Sequence, residues 1–277
     1  MKARLRRLAE EIRAGAARES QAPEPAQPES AAHALPVEDD THGQPVDLAG
    51  IQLPMAARHA ELSLIASLDD SPGRPDTELM RIALDAAREA TQVDLTRFHG
   101  RSPDSERWLS VFPGEHYQLL SGLVRVLQPQ TVVEVGTFTG LSALAILDGL
   151  PHSSRLTTFD VVPWDALAEP ALIAEDFAGG RLVQVVADLA IPERFGEHAG
   201  LLASADLMFV DGPKDGRFEP AFWALLSRLP RTRPCLVMFD DVRVWSMLGF
   251  WRGLAVPKLD VTSFGHWSGT GLLRLDP

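Results

Sequence analysis

Three aspartates and a lysine toward the carboxyl end carry the strongest chemical signal in the sequence. DLMFVDGPKDG ends an apolar run at Asp211 and sets Lys214 three residues later; CLVMFDD ends another at Asp240 and Asp241. Carboxylates brought together repel, and a bound cation relieves that repulsion. An all-oxygen donor set suits Mg²⁺, Mn²⁺ or Ca²⁺ rather than zinc. The plainer alternative makes Asp240 or Asp241 the N-cap of a following helix, a position Asp fills well. Lys214 is then either a solvated lysine or a base whose pKa is lowered by a cation and partial burial. A second group lies upstream. EVGTFTG places Glu134, Gly136 and Gly140 where an apolar run meets a helical pattern. The glycines allow a tight turn and bring a ligand close to a helix amino terminus. LTTFD ends in Asp160, whose carboxylate can accept both hydroxyls of a ribose, and RLVQVVAD ends in Asp188, within reach of an adenine. Together these describe a site for a nucleoside-bearing cofactor. The GxxxG spacing lacks the third glycine of the dinucleotide fingerprint, which argues against NAD.

The elements that must position these groups follow from periodicity. HYQLLSGLVRVL reads as a helix, TVVEV as a strand, TGLSALAILDGL as a helix and RLTTFDVV as a strand. PWDALAEPALIAEDF contains helical material, RLVQVVAD is a strand, and PERFGEHAGLL is a short helical or irregular connection. DLMFV is a strand, FEPAFWALLSRL a helix and CLVMFD a strand, followed by SMLGFWRGL. Alternation at this spacing predicts an α/β sandwich with a mostly parallel sheet. Near-continuous apolar strands fit a sheet covered on both faces, with ligands beyond the strands' carboxyl ends. LDVTSF and TGLLRL, joined by GHWSG, complete seven strands as a terminal antiparallel hairpin. Its turn carries His266 and Trp267, which could wall a substrate pocket; His266 is otherwise a second base, a metal neighbour or a hydrogen-bonded turn residue. His99 and His116 precede the glycine turn. Trp164, Trp245 and Trp251 either stack on substrate or pack in the core.

The 277 residues are 45 % hydrophobic with a formal net charge of -12. That length can bury a core without staples, and that charge argues against a nucleic-acid partner. The single Cys235 excludes an intramolecular disulfide and a cysteine-rich metal site, and reads as a small core residue. No run approaches 18 apolar residues and no secretory h-region follows the basic start, so no transmembrane segment and a cytoplasmic location are expected. Leu5, Leu8 and Ile12 have the spacing of a short helix within a flexible tail over 1–50; residues 21–50 are rich in Pro, Ala, Glu and Gln. Residues 51–110 read as a helical extension, serving as lid, substrate wall or dimer element, and 111–277 as the α/β domain. Within the extension, LPMAARHAELSLIASL and DTELMRIALDAAREATQVDL have helical patterns.

VVEVGTFTGLSALA followed by LTTFD closely resembles motif I and the next strand of the class I S-adenosylmethionine-dependent methyltransferases. More narrowly, it resembles the cation-dependent O-methyltransferases of the catechol and caffeoyl-CoA type. PGEHYQLLSGLVRVLQPQ is similar to that family's preceding helix, VDGPKDG to its metal-aspartate and lysine segment, and FDDVRVW to its Asp-Asn metal pair. The resemblance covers about 112–245 and implies a Rossmann-like sandwich. It implies that Glu134, Gly136, Thr137, Phe138, Gly140, Ser142 and Asp211 border S-adenosylmethionine, with Asp160 on the ribose and Asp188 near the adenine. It further implies Asp211, Asp240 and Asp241 as ligands of Mg²⁺ (or Mn²⁺ or Ca²⁺), and Lys214 as general base beside the candidate His266. Asp241 stands where the family has Asn, adding negative charge. The implied activity is O-methylation of a small-molecule hydroxyl: a catechol-like phenol, a vicinal diol or a secondary metabolite. The enzyme would act as a homodimer or larger homo-oligomer. The alternatives are a metal-independent O- or N-methyltransferase and a noncatalytic cofactor-binding subunit of a biosynthetic complex.

Overall fold

The computed structural model describes residues 75–277. The chain divides into Met1–Gln52 and Leu53–Pro277, and the described residues belong to the second unit. The expected tail, its short helix and the helix over LPMAARHAELSLIASL lie outside the described residues.

Helix α1 (Thr77–Ala90) begins at Asp76, whose side chain accepts from Leu79 N at 2.7 Å. Arg274 holds the same aspartate at 2.6 Å and so ties the helix start to the last strand. A short α2 (Ser105–Leu109) and α3 (Tyr117–Leu127) follow. The alternating unit then runs β1 (Thr131–Val135), α4 (Leu141–Gly149), β2 (Arg155–Asp160), α5 (Ala174–Phe177), β3 (Leu182–Val186), α6 (Pro192–Glu197) and α7 (Ala199–Ser204). It continues with β4 (Leu207–Val210), α8 (Phe218–Leu226), β5 (Cys235–Asp240), α9 (Trp245–Gly253), β6 (Lys258–Asp260) and β7 (Thr270–Leu275). The sheet order is β3-β2-β1-β4-β5-β7-β6, with β1 to β5 parallel and β7 antiparallel to both neighbours. This is the Rossmann-like class I methyltransferase sandwich with its terminal antiparallel hairpin.

The period of two decides which face each strand residue serves. On β5, Leu236 and Met238 join the core built with α1, α3 and α4, while Cys235, Val237 and Phe239 join the core under α6 to α9. Asp240 continues that alternation onto the α3 face. Glu134 likewise falls on that face, between Val133 and Val135 of the opposite core. Close helix packing there uses glycine: a Cβ at Gly122 would stand 2.5 Å from Ala86 O on α1. Cys235 is buried as expected, and burial pushes its thiol up to about 12.

PWDALAEPALIAEDF contains helical material as expected, in the form of a 3-10 turn at Trp164–Ala166 and the single turn of α5; its prolines interrupt any longer ladder. One element differs from expectation. The first hairpin arm stops at Asp260, whose carboxylate accepts from Thr262 N and Thr262 Oγ1 and turns the chain into a 3-10 turn at Thr262–Phe264. The hairpin connection is therefore longer than GHWSG alone.

Candidate active site

At the carboxyl end of β1, Gly136 takes φ +99° with its α-carbon against the carbonyl of Asp211, where any Cβ would collide. Gly140, at φ +92°, occupies the N-cap position of α4 against Leu172. Between them Thr137 is buried, its hydroxyl 2.7 Å from that of Thr158, and Phe138 lies at φ +42° with its ring 70 % exposed. Asp160 organises this turn: its Oδ2 accepts from Phe138 N at 2.9 Å and its Oδ1 from Val162 N at 3.0 Å. Asp188 accepts from Ala190 N at 2.9 Å just beyond β3. These predicted residues thus share one edge of the sheet, with Ser142 and Glu134 beneath the turn. Glu134 is fully buried and neither carboxylate oxygen has a formed hydrogen bond. Burial raises its pKa to about 7, opposed in part by the hydroxyls of Ser142 and Thr158. A buried carboxyl with open acceptor sites beside a glycine turn fits the ammonium end of an amino-acid-bearing cofactor.

One strand over, Asp211 follows β4, Asp240 ends β5 and Asp241 follows it. One carboxylate oxygen from each lies within 4.8 Å of the others. Lys214 Nζ reaches into the group, donating to Asp211 Oδ1 and to Gly212 O at 3.0 Å, and standing 3.2 Å from Asp241 Oδ2. Burial alone would lower the lysine pKa, but the charges of Asp211, Asp241 and Asp240 outweigh it and raise the pKa. The lowering expected from sequence therefore does not occur while the carboxylates face the ammonium uncompensated. Burial holds the Asp211 pKa above its ordinary value despite Lys214. The lysine loop is itself fixed: Glu219 Oε1 accepts from Lys214 N at 3.1 Å, and Ser246 Oγ donates to Lys214 O at 2.8 Å. Phe138, Lys214 and Asp241 all have positive φ without being glycine. Such backbone strain gathers at functional sites.

The capping account of Asp240 and Asp241 does not hold. The N-cap residue of α9 is Val244, with no side-chain cap. Asp241 instead accepts from Ser268 Oγ, and Asp240 turns toward His116 and His266. His266 belongs to the site. Its Nδ1 lies 3.3 Å from both Asp240 Oδ2 and Asp241 Oδ1 and 2.6 Å from Ser268 Oγ. Burial works against its charge, yet the contacts to Asp240 and Asp241 raise its pKa to about 10. Asp240, although burial opposes it, is held well below the carboxylate range by His116 and His266. Its Oδ1 is buried without a partner. The donor chemistry of the three carboxylates together with that open oxygen fits a hard divalent cation.

Sequence reasoning passed over Glu115 and underweighted His116. A backbone bridge brings them in: Gly114 N donates to Gly265 O at 3.1 Å, and Trp267 N to Gly114 O at 3.0 Å. The only local signal is a Glu-His pair just before an apolar helix. Of the other candidates, His99 pairs with Ser110 Oγ at 2.9 Å away from the site, Trp164 stacks on Phe177, and Trp251 is buried under Gly271. Trp267 is 73 % exposed beside His266. Among the described residues no helix is long and apolar enough to cross a membrane.

The chain is 34 % identical over 128 residues to an inferred O-methyltransferase of Mycobacterium sp. (strain JLS), a match covering 43 % of this chain and 52 % of that protein. It is 40 % identical over 52 residues to the catechol O-methyltransferase domain-containing protein 1 of Mus musculus, covering 19 % of this chain and 20 % of that one. The chain thus spans about half the length of the first of these curated relatives, and less of the second. Among solved structures it is similar to the O-methyltransferase TomG from Streptomyces achromogenes in complex with SAM. That match has 21 % identity and a TM-score of 0.47, covering 73 % of this chain and 99 % of that one. The O-methyltransferase family model matches residues 85–246, and the chain belongs to that family.

Proposed function

We propose that the protein is an S-adenosylmethionine-dependent, divalent-cation-dependent O-methyltransferase acting on a hydroxyl of a small molecule. The observation that carries this is the convergence of Asp211, Asp240 and Asp241 around Lys214, one strand away from the glycine turn and the unsatisfied Glu134. When bound, the cofactor supplies the methyl group, and Mg²⁺, Mn²⁺ or Ca²⁺ on the three aspartates acidifies the substrate hydroxyl. Glu134, Gly136, Thr137, Phe138, Gly140, Ser142 and Asp211 border the cofactor. Asp160 retains lone pairs for ribose hydroxyls beyond the backbone N–H bonds it accepts, and Asp188 borders the base. Lys214 Nζ takes the hydroxyl proton. It becomes neutral only when other positive charge compensates Asp211 and Asp241, so the lysine is a base only in the loaded site. His266 holds the Asp240–Asp241 pair in orientation, and Glu219 and Ser246 hold the lysine loop. The chain's contribution is alignment and fixed charge around the reacting oxygen.

The substrate class that fits is a bidentate oxygen donor, such as a catechol-like phenol, a vicinal diol or a hydroxylated secondary metabolite. The exposed ring of Trp267 offers it an aromatic wall. A homodimer or larger homo-oligomer working in the cytoplasm is part of the same reading; Met80 and Leu84, exposed on α1, suit a face covered by a second copy. The test is transfer of labelled methyl from S-adenosylmethionine to a panel of catechols and diols, with chelator and then cation added back. Loss with chelator and recovery with Mg²⁺ supports the reading. Transfer unaffected by chelator favours the metal-independent alternative, which has its own observation: Lys214 and His266 already neutralise part of the acidic cluster.

A further inference from the structure

Asp240 is shared by two convergent sets of donor atoms. Besides the carboxylate triad, one donor atom from each of His116, Asp240 and His266 lies within 4.8 Å of the others. His116 Nδ1 is 3.4 Å and His266 Nδ1 3.3 Å from the same atom, Asp240 Oδ2. Charge-assisted N–H···O bonds are about 2.7–2.9 Å long, so neither contact is a formed hydrogen bond. Both instead match the edge of a coordination tetrahedron, since ligands about 2.0–2.1 Å from a zinc ion stand roughly 3.3–3.4 Å apart.

Satisfaction of polar atoms points the same way. His116 is 3 % exposed, and neither of its ring nitrogens has a hydrogen-bond partner. Asp240 is equally buried, and its Oδ2 faces both imidazoles. Buried imidazole and carboxylate groups left in this state are costly unless something fills the space between them. His266 Nε2, on the far side of its ring, lies 3.5 Å from Oε2 of the buried Glu115. A carboxylate behind a ligating imidazole is the arrangement that sets ring orientation and tautomer at metal sites. Ser268 Oγ, 2.6 Å from His266 Nδ1, gives its own proton to Asp241 Oδ1, so ligation through Nδ1 would cost the imidazole one bond to a hydroxyl.

We propose that His116, Asp240 and His266 form a second cation position, taking a borderline transition-metal ion such as Zn²⁺, Co²⁺ or Fe²⁺, next to the oxygen-lined triad and joined to it through Asp240. Two imidazole nitrogens and one carboxylate oxygen discriminate against Mg²⁺ and Ca²⁺, which take oxygen ligands. Three protein ligands leave a coordination position for water or a substrate heteroatom. The proposal goes beyond methyl transfer, because its readout is metal binding and does not need turnover.

The test uses the full chain, stripped with chelator and titrated with Co²⁺ in excess Mg²⁺, following visible d–d absorption. Wild-type protein is expected to give bands of tetrahedral or five-coordinate character that excess Mg²⁺ does not remove. His116→Gln and His266→Gln each weaken Co²⁺ binding by roughly 100-fold, and Glu115→Gln by about 10-fold, the range that loss of even an outer partner spans. Asp211→Asn weakens Mn²⁺ binding at the triad but leaves the cobalt bands in place. Circular dichroism confirms that each variant is folded, and Glu115→Gln carries the test where a histidine variant is not. Absence of bands in the wild type, their removal by Mg²⁺, or wild-type titration by the folded histidine or Glu115 variants overturns the proposal. Failure of methyl transfer with the cobalt spectrum intact overturns the activity and leaves the second position standing.

Discussion

Replacing Glu134 by glutamine should make the cofactor-free protein more stable and its cofactor binding weaker, and both effects should depend on pH. The carboxyl is fully buried and its pKa is raised from 4.5 to about 7. Between those two values the folded state keeps a proton that the unfolded chain has lost. Stability therefore falls as pH rises through that window and stays lowered above it. At about 1.4 kcal/mol per pKa unit, the ionised carboxylate costs the fold roughly 3 kcal/mol at pH 8. Glutamine keeps the shape and removes the charge. For a unit of this size, roughly 2–4 °C per kcal/mol turns the difference into a melting temperature higher by about 6–12 °C at pH 8, vanishing toward pH 4.5. Calorimetry of both proteins without cofactor across that range measures it. Cofactor binding should move oppositely. If Glu134 must be ionised to hold the ammonium end, wild-type affinity at pH 6 is about tenfold below that at pH 8, while the glutamine variant is weak and flat. A melting difference that does not change with pH, or a variant that melts lower at pH 8, would refute the reasoning. So would wild-type affinity that is constant from pH 6 to 8.

Lys214→Ala should reduce methyl transfer by about 10²–10⁴-fold while S-adenosylmethionine binding measured by calorimetry stays within a few-fold, as loss of a general base predicts. Gly140→Ala, which forces a Cβ onto Leu172 at φ +92°, should weaken cofactor binding and cost more than about 1 kcal/mol of stability in chemical denaturation. Arg243 holds Asp260 at 2.8 Å, with both side chains largely buried. Arg243→Met leaves that carboxylate uncompensated and should lower stability by roughly 3–5 kcal/mol, with hydrogen exchange rising first along β6. Adding back Asp260→Asn should recover part of the loss, because the stranded charge is gone.

Much of the architecture was legible because strands buried on both faces leave unbroken apolar runs. Asp160, Asp211 and Asp240 mark the ends of such runs and therefore lie on the sheet edge where ligands bind. The alternation along β5 even predicts that Asp240 and Phe239 face opposite cores. The role of Asp241 was harder to read. As a sequence feature it suits a helix cap, and only its left-handed backbone, with Val244 at the N-cap position of α9, turns it toward Lys214 and Ser268. Glu115 was illegible, and His116 no more than a weak candidate, for a different reason. Their place depends on backbone pairing between Gly114 and the Gly265–Trp267 segment, and no local periodicity encodes a long-range bridge of that kind. The Lys214 pKa could not be read from burial alone, since its direction depends on three carboxylates from two strands.

The bridge from Gly114 to His266 also bears on how the protein comes into being. It joins segments about 150 residues apart, a separation that makes the contact slow to form and late among folding events. During synthesis the parallel strands and the glycine turn can assemble while the segment bearing His266 is still inside the ribosome. Until that segment arrives, Asp240 and Asp241 lack His266 and Ser268, and Gly114, next to Glu115 and His116, lacks its backbone partners at Gly265 and Trp267. Completion of the acidic centre therefore waits on the segment between β6 and β7. A nascent or clipped protein lacking that segment would carry the cofactor edge without a finished centre.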